Sequence, residues 1–125
     1  MRTTQLQVGN EPIDVWIAET YPQRQLGLMW VQAWEMADNQ GMLFVFEPGH
    51  RGSFWMKNTL IPLDVAFIQD NGDIVHTDRM EPLSLDPHGP VGPYRFALEL
   101  WAGTLDRLGV YPGDSIRIPD TVLQP

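Results

Sequence analysis

Cysteine is absent from the chain, which excludes disulfides, zinc–thiolate centres, iron–sulfur clusters and thiol nucleophiles. Its absence does not reveal the compartment. Basic residues are scarce: Lys+Arg 8 against Asp+Glu 16 leaves a net charge of −8 over 125 residues. That balance argues against nucleic-acid binding, which needs a basic footprint to displace counterions from phosphates. It argues equally against a polybasic anchor on anionic lipid. No window approaches the roughly 18 consecutive apolar residues of a membrane-spanning helix. Met1-Arg2 runs straight into Thr3–Val8 without the apolar stretch of a signal peptide. As written the chain reads as cytoplasmic, and a leader removed ahead of residue 1 would leave export open.

Chemical fingerprints are also sparse. GxSxG, the P-loop and GxGxxG do not occur, which removes the usual serine-hydrolase and nucleotide signatures. The three histidines, His50, His76 and His88, lie in separate segments with no HxH or HExxH spacing. No metal and no cofactor is therefore expected. Asp70-Asn71-Gly72-Asp73 has hairpin spacing and lacks the further ligands of a calcium loop.

What is present is a chain of 43% hydrophobic residues, enough for a core, and of a length that suits one domain over 1–125. Gly 11 and Pro 11 fall between short alternating segments, the pattern of a turn-rich β protein. Strands are expected at Thr3–Val8, Ile13–Ala18, Met42–Phe46, Phe54–Thr59, Leu63–Ile68, Ile74–Met80, Tyr94–Leu100 and Ser115–Ile118. Asn71-Gly72 predicts a type I′ hairpin, and Pro112-Gly113 the centre of a type II turn. Thr20-Tyr21-Pro22-Gln23 has the form of a capping box opening a helix over about 21–31, and Thr104–Leu108 predicts a second short helix stopped by Gly109. Gly27 inside the first helix suggests close backbone packing against a strand. The Pro82–Pro93 tract reads as a stiff surface loop. The fold class is mainly β, a barrel or sandwich of about eight short strands with two short helices.

Phe54-Trp55-Met56-Lys57-Asn58-Thr59 is the segment that stands out. Lys57 is the chain's single lysine, placed beside large apolar groups, and an ammonium there is a compact charge whose pKa falls readily on desolvation. Trp55 supplies a stacking platform, while Lys57 and Asn58 supply directional hydrogen bonds. Asp64, on the next strand, is expected within reach of Lys57, and Arg24 at the first helix is a further candidate for an anion. Against these stand plainer roles: a Lys57 stem packed on Trp55, an Asp64 that merely neutralises it, and an Arg24 paired with Glu19. Glu99, on the opposite parity from Phe96, Leu98 and Leu100, is expected in an exposed cross-strand pair.

An ordered set of segments carries a resemblance. Gln23-Arg24-Gln25-Leu26-Gly27-Leu28-Met29 is followed by Gly41-Met42-Leu43-Phe44-Val45-Phe46, then by Phe54–Thr59 with Ile61-Pro62-Leu63-Asp64. Leu98-Glu99-Leu100, Ala102-Gly103 and Gly113-Asp114 close it. Over about 11–118 the chain resembles an uncharacterised prokaryotic family, number 192 among the domains of unknown function. The resemblance implies a compact β-rich domain with no assigned activity, in a family whose members are often exported. Gln23 stands where the family pattern usually has Glu, and Trp30-Val31 where a second basic residue is common. Three readings follow. The first is a module for a small polar or anionic ligand, such as a carbohydrate, with Trp55, Lys57, Asn58, Asp64 and Arg24 around it. The second is an accessory domain that meets a protein partner. The third, ranked last, is an enzyme using Lys57 and Asp64, which lacks an identifiable third catalytic group. No catalytic residue is assigned.

Overall fold

Alternating and two-sided apolar runs fix most of the strands. The computed structural model describes residues 1–90 and 92–124. The strands are β1 (Thr3–Val8), β2 (Glu11–Ala18), β3 (Gln40–His50), β4 (Leu63–Ile68), β5 (Ile74–Met80) and β6 (Tyr94–Trp101). They form one sheet in the order β1-β2-β3-β6-β4-β5, antiparallel except between β2 and β3. The sheet is open, and both faces are covered. Inward side chains of its two ends, such as Leu6 and Ile13 with Ala66 and Ile74, join one cluster closed by Leu105, Val110, Ile116 and Val122. The sheet therefore curls in the manner of a sandwich. A second cluster lies on the other face, where Leu28, Met36, Met56 and Ile61 from two long connections pack on Met42, Phe44, Val65 and Phe67.

The class is mainly β, as expected, with six strands among the described residues rather than eight. Phe54–Thr59 is not a strand. Only Phe54 bridges, to His88, and the chain then turns, with the Thr59 amide donating to the Met56 carbonyl at 3.0 Å and Asn58 at φ 57. Asparagine tolerates that left-handed conformation, so the period-two pattern breaks at Asn58. Ser115–Ile118 likewise forms no strand. It lies across the β4–β5 turn, where Ser115 bridges Asp73 and Ile116 enters the core.

The turns are mostly as read. Asp70–Asp73 does join β4 and β5, with Gly72 at φ 96 and its amide on the Gln69 carbonyl at 2.9 Å. Asn71 is not in the positive-φ region, so the loop closes as a turn followed by a glycine bulge instead of type I′. At Pro112-Gly113 the Asp114 amide reaches the Tyr111 carbonyl at 3.0 Å with Gly113 at φ 97, as a type II turn requires. The Pro82–Pro93 tract is a loop stitched to residues 54–59, with Val91 outside the described residues.

Two α-helices complete the fold, α1 (Tyr21–Leu26) and α2 (Thr104–Leu108), with 3-10 turns at Ala33–Glu35 and Asp120–Leu123. The capping box on α1 is present, with the Gln23 amide on Thr20 Oγ1 at 3.3 Å and the Thr20 amide on Gln23 Oε1 at 3.1 Å. The helix ends at Leu26, short of residue 31. Gly27 takes φ 51 there, and a Cβ on it would meet the Phe44 ring at 3.3 Å. The close approach to a strand is real, at the helix end rather than inside it.

Candidate functional site

The second core face has an opening. α1 and the Gly27–Met29 turn stand over β3 and β6, and the 53–59 segment closes the side. Between them lies a hollow of about 300 Å³, lined by Arg24, Phe44, Phe46, Phe54, Trp55, Thr59, Tyr94 and Glu99 among others. The aromatic walls meet edge to face: Phe44 on Phe54 at 4.9 Å, Phe46 on Tyr94 at 5.6 Å and Phe46 on Phe54 at 6.1 Å. His50 stacks on Phe46 at 4.0 Å. Such rings present both π faces and C–H edges to whatever enters.

Glu99 lies on the floor. It sits on the central strand β6, opposite Met42 of β3 and Val65 of β4, and is 4% exposed. Its side chain takes no hydrogen bond from any described residue. Burial alone pushes its carboxyl up to about 8, because ionising it among apolar neighbours forfeits hydration. At neutral pH the group is chiefly a neutral acid, one O–H donor with acceptor capacity to spare. The expected exposed pair is thus corrected. The overlooked signal was β6 itself: Phe96, Ala97, Leu98, Leu100 and Trp101 occupy both parities, as in a strand buried on both faces. Gly41 fits the same crowding, since a Cβ there would stand 2.3 Å from the Glu99 carbonyl oxygen.

Arg24 edges the hollow. Its Nη1 donates to the Glu19 carbonyl at 2.6 Å and the Val45 carbonyl at 3.2 Å, and its guanidinium lies 5.3 Å from the Phe46 ring centre. It does not pair with the Glu19 carboxylate, which is taken by Arg2 at 2.8 Å. Burial, then the charge of Arg24, holds the His50 imidazole below the ordinary histidine range. Burial raises the Tyr94 phenol to about 12, and its hydroxyl donates to the Gly52 carbonyl at 3.1 Å.

The remaining expected residues are scattered. Trp55 lines the hollow and is half exposed. Lys57 is exposed, with Nζ 5.2 Å from the Trp55 ring centre. Asn58 supplies the positive-φ turn, its carbonyl accepting from the Trp30 amide at 2.8 Å. Asp64 does not meet Lys57. It lies on the opposite sheet face, where its carboxylate accepts from Arg79 Nε at 3.2 Å and from the Gly103 and Leu105 amides at 2.9 and 3.1 Å. The reason is register: Val65, the next residue, pairs with Glu99, so Asp64 points to the side where α2 begins. There it satisfies amides that α2 leaves without partners inside the helix. Among the described residues no group of three or more His, Asp or Glu is placed to hold a metal ion.

The sequence profile of DUF192, described as Uncharacterized ACR, matches residues 4–118. The chain belongs to this DUF192 family. A Sinorhizobium meliloti 1021 crystal structure, described provisionally as a transcription regulator, is 37% identical with a TM-score of 0.83, and the match covers 90% of this chain and 89% of that one. A protein of unknown function from Novosphingobium aromaticivorans DSM 12444 is 28% identical with a TM-score of 0.81, over 93% of this chain and 84% of that one. Among curated proteins none matches significantly. The DUF192 chain is thus an uncharacterised β-rich domain.

Proposed function

We propose that this DUF192 domain is a binding module for a small polar ligand seated between α1, β3 and β6. The observation that carries the reading is the buried, unpartnered Glu99 carboxyl at the floor of an aromatic-walled hollow. Its volume of about 300 Å³ sits at the lower end of the range for small-molecule sites, about 300–1,000 Å³. Natural folds rarely leave a buried polar group without a partner, and a ligand that hydrogen-bonds to Glu99 would supply one. Trp55 and Arg24, both expected from the sequence, edge the same hollow, and Lys57 sits by the Trp55 ring. Direct nucleic-acid binding finds no support in a net charge of −8.

The test is a thermal-shift panel of glucose, N-acetylglucosamine, phenylacetate and 2-phenylethylamine on wild type and Trp55→Ala. At least one probe is expected to raise the wild-type Tm, since a hundredfold excess over Kd adds about 2.7 kcal/mol of stability. Trp55→Ala should weaken that probe about tenfold by removing a stacking face. No shift from any probe at millimolar concentration would remove the reading. A second reading, docking of a protein partner, is favoured by the exposure of Trp30, Trp34, Trp55, Leu83 and Leu85. The backbone ties Trp30 to Asn58 and Leu83 to Thr59, so several of these side chains spring from one stitched set of loops.

A further inference from the structure

We infer that the hollow takes an organic cation, a primary ammonium on a small apolar or aromatic body, with the ammonium seated on Glu99. The inference rests on the pocket reading above and replaces its open ligand class with a specific one.

Three observations point to a cation. First, Glu99 and Asp64 are the two buried acids among the described residues, and only Glu99 has no partner. An uncompensated carboxylate among apolar neighbours is costly, and an arriving ammonium would convert that cost into a hydrogen-bonded charge pair. A neutral hydroxyl would gain only an ordinary hydrogen bond. Second, the walls are aromatic: Phe44, Phe46, Phe54, Trp55 and Tyr94 surround the opening. The negative faces of such rings attract cations, most strongly where water is excluded. Third, the surrounding charge favours entry of a cation. The chain carries −8 overall and the exposed Glu47 lies on the rim. The one guanidinium in the lining, Arg24, is held by two carbonyls and lies by the Phe46 ring. Its charge is felt at His50, whereas burial alone accounts for the state of Glu99.

The titratable or charged groups facing the hollow are Tyr21 and Arg24 on α1, Glu47 and His50 on β3, and Tyr94 and Glu99 on β6. His50 is held low and Tyr94 high, which leaves Glu99 to titrate near pH 8. An alkylammonium stays charged there, because such amines titrate at about 10. Cation affinity should therefore rise with pH as Glu99 ionises.

The experiment uses three probes of nearly equal shape: 2-phenylethylamine, 2-phenylethanol and phenylacetate. Each is titrated calorimetrically into the full chain at pH 6, 7, 8 and 9. The amine is expected to bind tightest near pH 9, its affinity rising about tenfold from pH 6 to 7, about fivefold from 7 to 8, and then levelling. Glu99→Gln should weaken the amine at least tenfold and flatten its pH profile while leaving the alcohol little changed. Glu47→Gln should keep the profile. Should Glu99→Gln fail to fold, the wild-type profile across the three probes still decides. An alcohol that equals the amine, or a tighter phenylacetate, overturns the cation assignment while leaving the pocket reading standing. Silence from all three and from both sugars overturns both.

Discussion

Asp64 and Glu99 occupy neighbouring rungs of adjacent central strands, each 4% exposed, yet they face opposite sides of the sheet and meet opposite fates. Asp64 has three donors: one guanidinium N–H and two amides at the start of α2. Glu99 has none among the described residues and opens into an aromatic hollow. Burial by itself therefore does not assign a role to a carboxylate in this fold. The decisive variable is whether the chain supplies the donors. On the α2 side it does, and the acid is a structural tie. On the α1 side it does not, and the acid is left for something else to satisfy.

A large effect should come from breaking the satisfied side. Asp64→Ala would strand the Gly103 and Leu105 amides and release Arg79. Removing one member of a buried, hydrogen-bonded charge set costs about 3–5 kcal/mol. Half-exposed Arg79 can turn to water, so the lower end is expected. Urea unfolding reads this directly, and a loss below about 1 kcal/mol would mean that Asp64 does not anchor α2.

The opposite sign is expected on the other face. Glu99 has its folded pKa raised from the ordinary 4.5 to about 8, so the folded state holds the proton more tightly across that interval. Stability then falls as pH rises, because the unfolded state binds fewer protons there. The contribution is whole below about pH 4.5 and lost on passing about pH 8. At about 1.4 kcal/mol per unit the total is on the order of 5 kcal/mol. Glu99→Leu, of similar size, should remove this slope and be more stable than wild type at pH 9, with much of the gain gone at pH 5. Parallel pH profiles for the two proteins would show that Glu99 is already compensated and would erase the contrast with Asp64.

The contrast was only half readable in the sequence. Alternation placed Asp64 correctly against Leu63, Val65 and Phe67, because β4 is a regular strand whose parity survives folding. It could not name the donors, which arrive from Gly103 and Leu105, some forty residues later. Local chemistry was legible wherever a few neighbours decide it: the Thr20 capping box, the Pro112-Gly113 turn, and the β4–β5 hairpin. Phe54–Thr59 misled because its alternation is interrupted by Asn58 at positive φ, leaving Met56 and Thr59 buried and Trp55 and Lys57 out. Glu99 was misplaced for a different reason. Opposite parity to Phe96 and Leu98 suggests water only where one face is wet, and a strand with apolar residues on both sides has no wet face. The hollow itself depends on where α1 ends, at Gly27 against Phe44, which no single segment encodes.

The smallest effect concerns Lys57, the residue that chemistry alone made most conspicuous. Neither buried acid depends on it. Asp64 is held by Arg79 on the far face, and Lys57 is absent from the lining around Glu99. What Lys57 has is an exposed head 5.2 Å from the Trp55 ring centre. An exposed cation–π contact of this kind is worth about 0.5–1 kcal/mol, part of which water and the freed side-chain entropy return. Lys57→Ala should thus change urea stability by about 0.5 kcal/mol or less, and it should leave the pH slope set by Glu99 intact. It is also expected to ease, not weaken, the entry of 2-phenylethylamine, by removing a like charge near the Trp55 edge. A loss of several kcal/mol, or a tenfold weakening of the amine, would put Lys57 inside the site and return the hollow to an anion-binding reading.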